Sequence, residues 1–176
     1  MWLVQHNKIL TWDNIRKRGI LGPSKCHLCE VHEETMEHLL NSCMFSSSLW
    51  DSFAFILYQT DRDKNNIYNT LTNWRRDFSY NEVLATAWTL FPSFIVWNVW
   101  KERNNRTFKE VRRTSHCIFE LILKQLKETV SIIVRNLPKN PSSATGLGIL
   151  CELGLQGISP QGLDRNPISL GEAKDF

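Results

Sequence analysis

In the run CHLCEVHEETMEHLLNSC, three cysteines and a histidine fall at Cys26-x2-Cys29-x8-His38-x4-Cys43. Two cysteines separated by two residues form a tight turn that aims both sulfurs at one point, and a His/Cys pair further along can close on that point. Three thiolates and one imidazole fill the tetrahedral shell of a structural Zn²⁺ and leave no position for water or substrate. The spacing therefore predicts a metal that folds the chain without catalysing anything. The plain alternative is a set of ordinary buried cysteines beside a surface histidine. In a chain with no sign of secretion, however, Cys-x2-Cys followed by such a pair reads as a metal site. His27 and His32 are rival ligands, but each lies so near the cysteine turn that it would close an unusually small ring, which ranks both behind His38.

The second pair must arrive from a helical segment. Thr35 is a suitable N-cap, with Met36, Leu39 and Leu40 following at helical spacing. His38 and Cys43 are five apart, and on an uninterrupted helix of 3.6 residues per turn they would point roughly 140° from each other. The helix is therefore expected to end near Asn41-Ser42, so that the chain turns back and Cys43 closes the site.

Elsewhere the apolar residues keep helical intervals. Thr11 can cap a short helix over TWDNIRKR, stopped by Gly19 and Gly22-Pro23. Phe45, Leu49, Trp50, Phe53, Ala54 and Leu57 form an apolar stripe, which the polar run from Gln59 to Asn66 breaks. Ile67 to Trp74 reads as a short helix, and Asn81 opens a long one through Phe108, with a kink or break expected at Pro92. From Thr114, the series Ile118, Leu121, Ile122, Gln125, Leu126, Thr129, Val130, Ile133 and Val134 makes a last amphipathic helix ending before Pro138. No alternating strand pattern appears. The fold class expected is mainly α, a small zinc-stapled helical domain with a disordered C-terminal tail.

The chain divides into three regions: a zinc-binding region over 1–60, a helical extension packing on it over 61–136, and the tail over 137–176. The 176 residues allow a sizeable core, and seven tryptophans supply bulk to fill it. Prolines, glycines and serines crowd the stretch after Asn136, which cannot bury enough apolar surface to offset ordering. Gly146-x-Gly148 is no dinucleotide loop, because Cys151 stands where a third glycine belongs. Val83 to Trp100 is uncharged and close to the roughly 20 residues a bilayer crossing needs. It contains Thr86, Thr89, Pro92, Ser93 and Asn98, and a buried helix is the better reading. MWLVQHNKIL lacks the parts of a signal peptide, and Cys117 and Cys151 have no evident disulfide partners. An intracellular location, nuclear or cytoplasmic, is expected.

The stretch HNKILTWDNIRKRGILGPSKCHLCEVHEETMEHLLNSCMFSSSLW, followed much later by WNVWKERNNRTF, resembles the zinc-binding domain downstream of the polymerase in plant non-LTR (LINE-type) retrotransposon reverse transcriptases. The resemblance covers His6 to Phe108, and Cys26, Cys29, His38 and Cys43 all fall on the family's metal positions. It implies a retroelement origin and an accessory role in handling RNA or DNA. The chain departs from that family in showing no Tyr-x-Asp-Asp polymerase pair, no upstream endonuclease and no set of RNase H carboxylates. These departures raise the expectation of a truncated remnant that starts at an accidental Met1.

Charge is less explicit. A net charge of +3 is a weak pointer to a polyanion. Glu30, Glu33, Glu34 and Glu37 inside the cluster should repel phosphate, and His27 and Leu28 are a poor stacking platform. Contact with nucleic acid would fall instead to Arg16, Lys17, Arg18 and Lys25 before the site, and to Lys101, Arg103, Arg106, Lys109, Arg112 and Arg113 after it. A solvated face explains both groups equally simply. Trp97 and Trp100 read as core. Asn105-Arg106-Thr107 has the form of a glycosylation acceptor that an intracellular chain would not use.

Catalysis finds no support: Cys117 follows His116, but neighbours on a helix point about 100° apart. Asp61 and Asp63 read as a solvated turn. The chain is expected not to be an enzyme. A protein-interaction module and a remnant without function are the competing readings. Other segments of a retroelement protein are possible partners.

Overall fold

Helices build the protein. The structure is a computed structural model that describes residues 1–56, 62–74 and 82–136. Leu57, the opening of the long helix at Asn81, and the 137–176 tail with its Gly146-x-Gly148 and Cys151 lie outside the described residues. The chain is mainly helical, with no strand among the described residues. A lone antiparallel bridge joins Lys25 to Glu33 across the cysteine turn.

Two short helices open the chain, α1 (Trp2–Gln5) and α2 (Trp12–Arg16). Thr11 stands at the head of α2, but its hydroxyl is donated to Asp13 rather than accepting from the backbone. Gly19 ends this region with φ +80, a left-handed conformation that glycine adopts without cost.

Past the cysteine turn, Thr35 acts as expected and accepts the backbone N–H of His38 at 3.0 Å. The next residues depart from the expected helix end. His38–Ser42 is a π-helical turn, in which the N–H of Cys43 donates to the carbonyl of His38 at 2.7 Å. A bond between residues five apart makes them successive on one face, so the spacing that an α-helix would splay becomes a match. Cys43 then leaves the turn with ψ 134, and α3 (Met44–Ile56) begins directly after it.

The π turn is held in part by Arg62 and Asp63, from the polar run that reads in the sequence as a break between helices. Arg62 donates to the Asn41 side chain at 2.7 Å and to Asp51 at 3.0 Å. Thr70 reaches the Asp63 carbonyl, and Glu37 accepts both Asn41 Nδ2 and the backbone N–H of Ile67, each at 2.8 Å. Residues 62–70 are thus a polar lock on the metal segment. Asn66 caps α4 (Ile67–Asn73), its side chain accepting from Tyr68 and Asn69.

The long helix α5 (Glu82–Phe108) runs through Pro92 without ending, and α6 (Ser115–Asn136) packs back along it. Thr114 caps α6 by accepting from the N–H of Cys117. Leu49, Trp50 and Phe53 of α3, Phe91, Ile95 and Val99 of α5, and Ile118, Ile122, Leu126 and Val130 of α6 share a core with Leu39, Leu40 and Cys43. Rings dominate its centre, with Phe53 lying 5.4 Å from Phe91 and 4.7 Å from Phe119 between ring centroids. The metal segment is therefore one wall of the helical core. Among the described residues, no helix is long and apolar enough to cross a membrane.

Candidate metal centre

The backbone of the cysteine turn folds tightly. The N–H of Glu30 closes on the carbonyl of Cys26 at 2.8 Å, and that of Cys26 reaches the His32 carbonyl at 2.8 Å. To make this turn Glu30 adopts φ 59, a left-handed conformation awkward for any residue with a side chain. The turn aims Cys26 and Cys29 inward while the π turn brings His38 and Cys43 across to meet them.

All four donor atoms lie within 4.8 Å of one another. Cys26 Sγ is 3.9 Å from Cys43 Sγ, and Cys29 Sγ is 3.3 Å from His38 Nε2. With metal–ligand bonds typical of zinc, a tetrahedron has sulfur–sulfur edges of about 3.8 Å and sulfur–nitrogen edges of about 3.5 Å. The cluster fits that shell in donor type, donor number and size. The rival histidines stay outside it: His32 only packs its ring 5.2 Å from that of His38. His27 has both ring nitrogens buried without a hydrogen-bond partner.

The donors' protonation shows what a cation would supply. The hydrogen bond between the Cys26 and Cys43 sulfurs, against the opposing effect of burial and with help from His38 and the backbone of Cys29 and Leu28, brings the Cys26 thiol down to about 3. The same hydrogen bond, with burial, pushes the Cys43 thiol up. The hydrogen bond with Cys26 raises His38. Crowded thiols thus share protons, and a divalent cation would displace them.

Around the cluster, α5 supplies a second layer. Arg103, 3 % exposed, grips the fully buried Glu34 through Nη2 at 2.7 Å and Nε at 3.1 Å. Glu34 also accepts the backbone N–H of Trp12 at 3.1 Å, which ties α2 to the same point. Arg106 donates to the carbonyl of Leu28 inside the cysteine turn, is held by the buried Glu102, and lies over the Phe45 ring.

These contacts revise the cationic surface. Arg103 is spent on Glu34 and is withdrawn from any phosphate-binding group, and Arg106 is committed to the metal loop. Glu34 and Glu37 face inward, which leaves Glu30 and Glu33 as the outward carboxylates of the knuckle, each already paired: Arg112 with Glu30 at 2.6 Å and Arg16 with Glu33 at 3.5 Å. Lys17 leans on Asp13 and Asn14, while Arg18, Lys25, Lys109 and Arg113 are exposed. Lys101 is half-buried over the Trp97 ring, and burial together with the nearby Arg113 lowers its pKa. Trp97 itself, read as core, is 55 % exposed, whereas Trp100 packs against the core. The α5 arginines carried only one signal in the sequence, the i,i+4 spacing of Glu102 and Arg106. Pairing of Glu34 with Arg103 had none, because it is set by how the helices pack.

Fold and cluster together define a helical domain organised round a three-cysteine, one-histidine site suited to zinc. Residues 1–50 match the family model described as zinc-binding in reverse transcriptase. No curated protein and no solved structure is significantly similar to the chain.

Proposed function

We propose that the protein is a retroelement-derived structural zinc domain, of the LINE type found in plants, which assists a reverse transcriptase by binding RNA or DNA and performs no catalysis. The observation that carries the zinc assignment is the convergence of the donor atoms of Cys26, Cys29, His38 and Cys43 within 4.8 Å, inside the segment that matches the family model. A shell with four protein ligands has no open position for substrate, which supports a structural role.

Support for a nucleic-acid role comes from the way the two basic groups meet. Arg16 and Arg112, far apart in the chain, both lean on the 30–33 loop between the cysteine turn and His38. Arg18, Lys109 and Arg113, within three residues of these arginines in the chain, and Lys25, bridged to Glu33, are exposed cations that make up the rest of the proposed rim. Phosphate contacts of this kind confer affinity that falls steeply with salt. Titration of labelled single-stranded RNA and DNA at two salt concentrations tests the assignment: salt-sensitive binding supports it, and no binding at low salt overturns it.

A protein-interaction role is favoured by a different feature. Met1, Trp2, Leu3 and Leu10 face Trp97 of α5 across an open apolar groove of about 770 Å³. Met1, Trp2, Leu3, Leu10 and Trp97 are all exposed around it, and such a gathering of uncovered apolar side chains favours a contact site. Binding of a protein segment with no response to salt would favour this reading. Either role is compatible with an intracellular location.

A further inference from the structure

The last turns of α5 touch both halves of the ligand set. Arg106 donates through Nη1 to the carbonyl of Leu28 at 2.9 Å and to that of His27 at 3.4 Å, the two residues enclosed by Cys26 and Cys29. Its guanidinium carbon stands 4.8 Å from the ring of Phe45, two residues after Cys43.

Arg106 is in turn held from below. The carboxylate of Glu102, fully buried, accepts Arg106 Nε at 2.9 Å and the backbone N–H of Arg113 at 2.8 Å. Arg106 Nη2 closes the circuit on the carbonyl of Arg113 at 2.7 Å. A planar fork with donors on three sides is what this geometry requires, and lysine has no such fork.

Building on the zinc assignment above, we infer that Arg106, oriented by Glu102, is an outer-shell positioning residue of the metal centre. The unit that retains the metal therefore extends to residues 102–113, well beyond the 1–50 segment of the family match. Arg106 acts on the centre by holding the carbonyls of His27 and Leu28, and with them the turn that carries Cys26 and Cys29, against α5. Losing such a partner typically costs 10- to 100-fold in metal affinity.

The test is zinc transfer from the full-length, zinc-loaded chain to a chromophoric chelator, with helicity followed in parallel by circular dichroism. Arg106→Met and Arg106→Lys are expected to release zinc at least about tenfold faster than the unaltered chain. Glu102→Gln should move in the same direction, and Lys124→Met, on the exposed side of α6, should leave release unchanged. Should Arg106→Met lose helicity, Arg106→Lys, which keeps the charge, decides the matter. Release within twofold of the unaltered chain for both Arg106→Lys and Glu102→Gln would overturn the inference while leaving the zinc assignment standing. A parent chain that takes up no zinc would overturn both.

Discussion

Arg103 and Glu34 stand 69 residues apart in the chain and form a two-point ion pair shielded from water, with Nη2 to Oε1 at 2.7 Å and Nε to Oε2 at 3.1 Å. Through it the middle of the metal segment is fastened to α5. Because Glu34 also accepts the N–H of Trp12, three parts of the chain converge on one carboxylate.

Removing one partner of such a pair leaves a buried charge uncompensated, which costs about 3–5 kcal/mol. Arg103→Met is therefore expected to lower the urea midpoint by that equivalent. Adding Glu34→Gln to it should restore a large part of the loss, since no bare charge then remains. Equilibrium denaturation of the two variants checks this, and a single variant as stable as the parent would refute the role given to the pair.

Glu30 invites a substitution that improves the fold. Its φ of 59 costs a residue with a Cβ about 1–2 kcal/mol relative to an ordinary conformation, and its exposed pair with Arg112 contributes little. Glu30→Gly should raise stability by up to about 1 kcal/mol, whereas the β-branched Glu30→Val should lower it. Thermal melts of the zinc-loaded chains give the order Gly above Glu above Val.

Acid should strip the metal. Zinc holds neutral imidazole and deprotonated thiols, so protons compete with it and its release becomes easier as pH falls. The Cys26 hydrogen bond lifts the His38 pKa above its ordinary 6.5, so the metal-free imidazole already takes up a proton more readily than a free histidine. Zinc retention is expected to be firm at pH 8 and to weaken as pH drops through about 6.5. Equilibrium dialysis across that range is the check; retention independent of pH would contradict ligation by these four groups.

The rim around the knuckle makes a quantitative prediction for single-stranded nucleic acid. Each phosphate contact contributes roughly 0.7 to the slope of log affinity against log salt. Replacing Lys109, Arg112 and Arg113 together by glutamine should reduce the slope by about 2, while Arg103→Gln, whose parent side chain faces Glu34, should leave it unchanged. A slope that responds to Arg103 and ignores the other three would invert this assignment.

Much of the site is legible in the sequence alone. The four residues that the structure clusters are picked out by their spacing, because donor type and turn length are local properties of the sequence. Thr35, Thr114 and the α6 stripe are readable for the same reason. The manner in which Cys43 reaches the site is not: a 3.6-residue period leaves His38 and Cys43 apart, and only the π turn, held by its own Glu37 and Asn41 together with Arg62 from beyond α3, reconciles them. Trp97 reads wrongly as core because its helix is apolar on several faces, and the sequence does not say which of them α6 will cover. Arg103 and Arg106 look like surface cations for a related reason: charge is visible in a sequence, whereas the buried carboxylate that neutralises it depends on packing.

The central claim is that one zinc ion, held by Cys26, Cys29, His38 and Cys43, is part of the fold. The direct measurement is native mass spectrometry of the full chain, joined to a thermal melt before and after chelation. One zinc per chain is expected, with a marked fall in melting temperature on its removal and Cys29→Ser reproducing the metal-free behaviour over residues 23–50. A chain that is metal-free as purified, does not take up zinc, and melts at the same temperature with or without chelator would contradict the account.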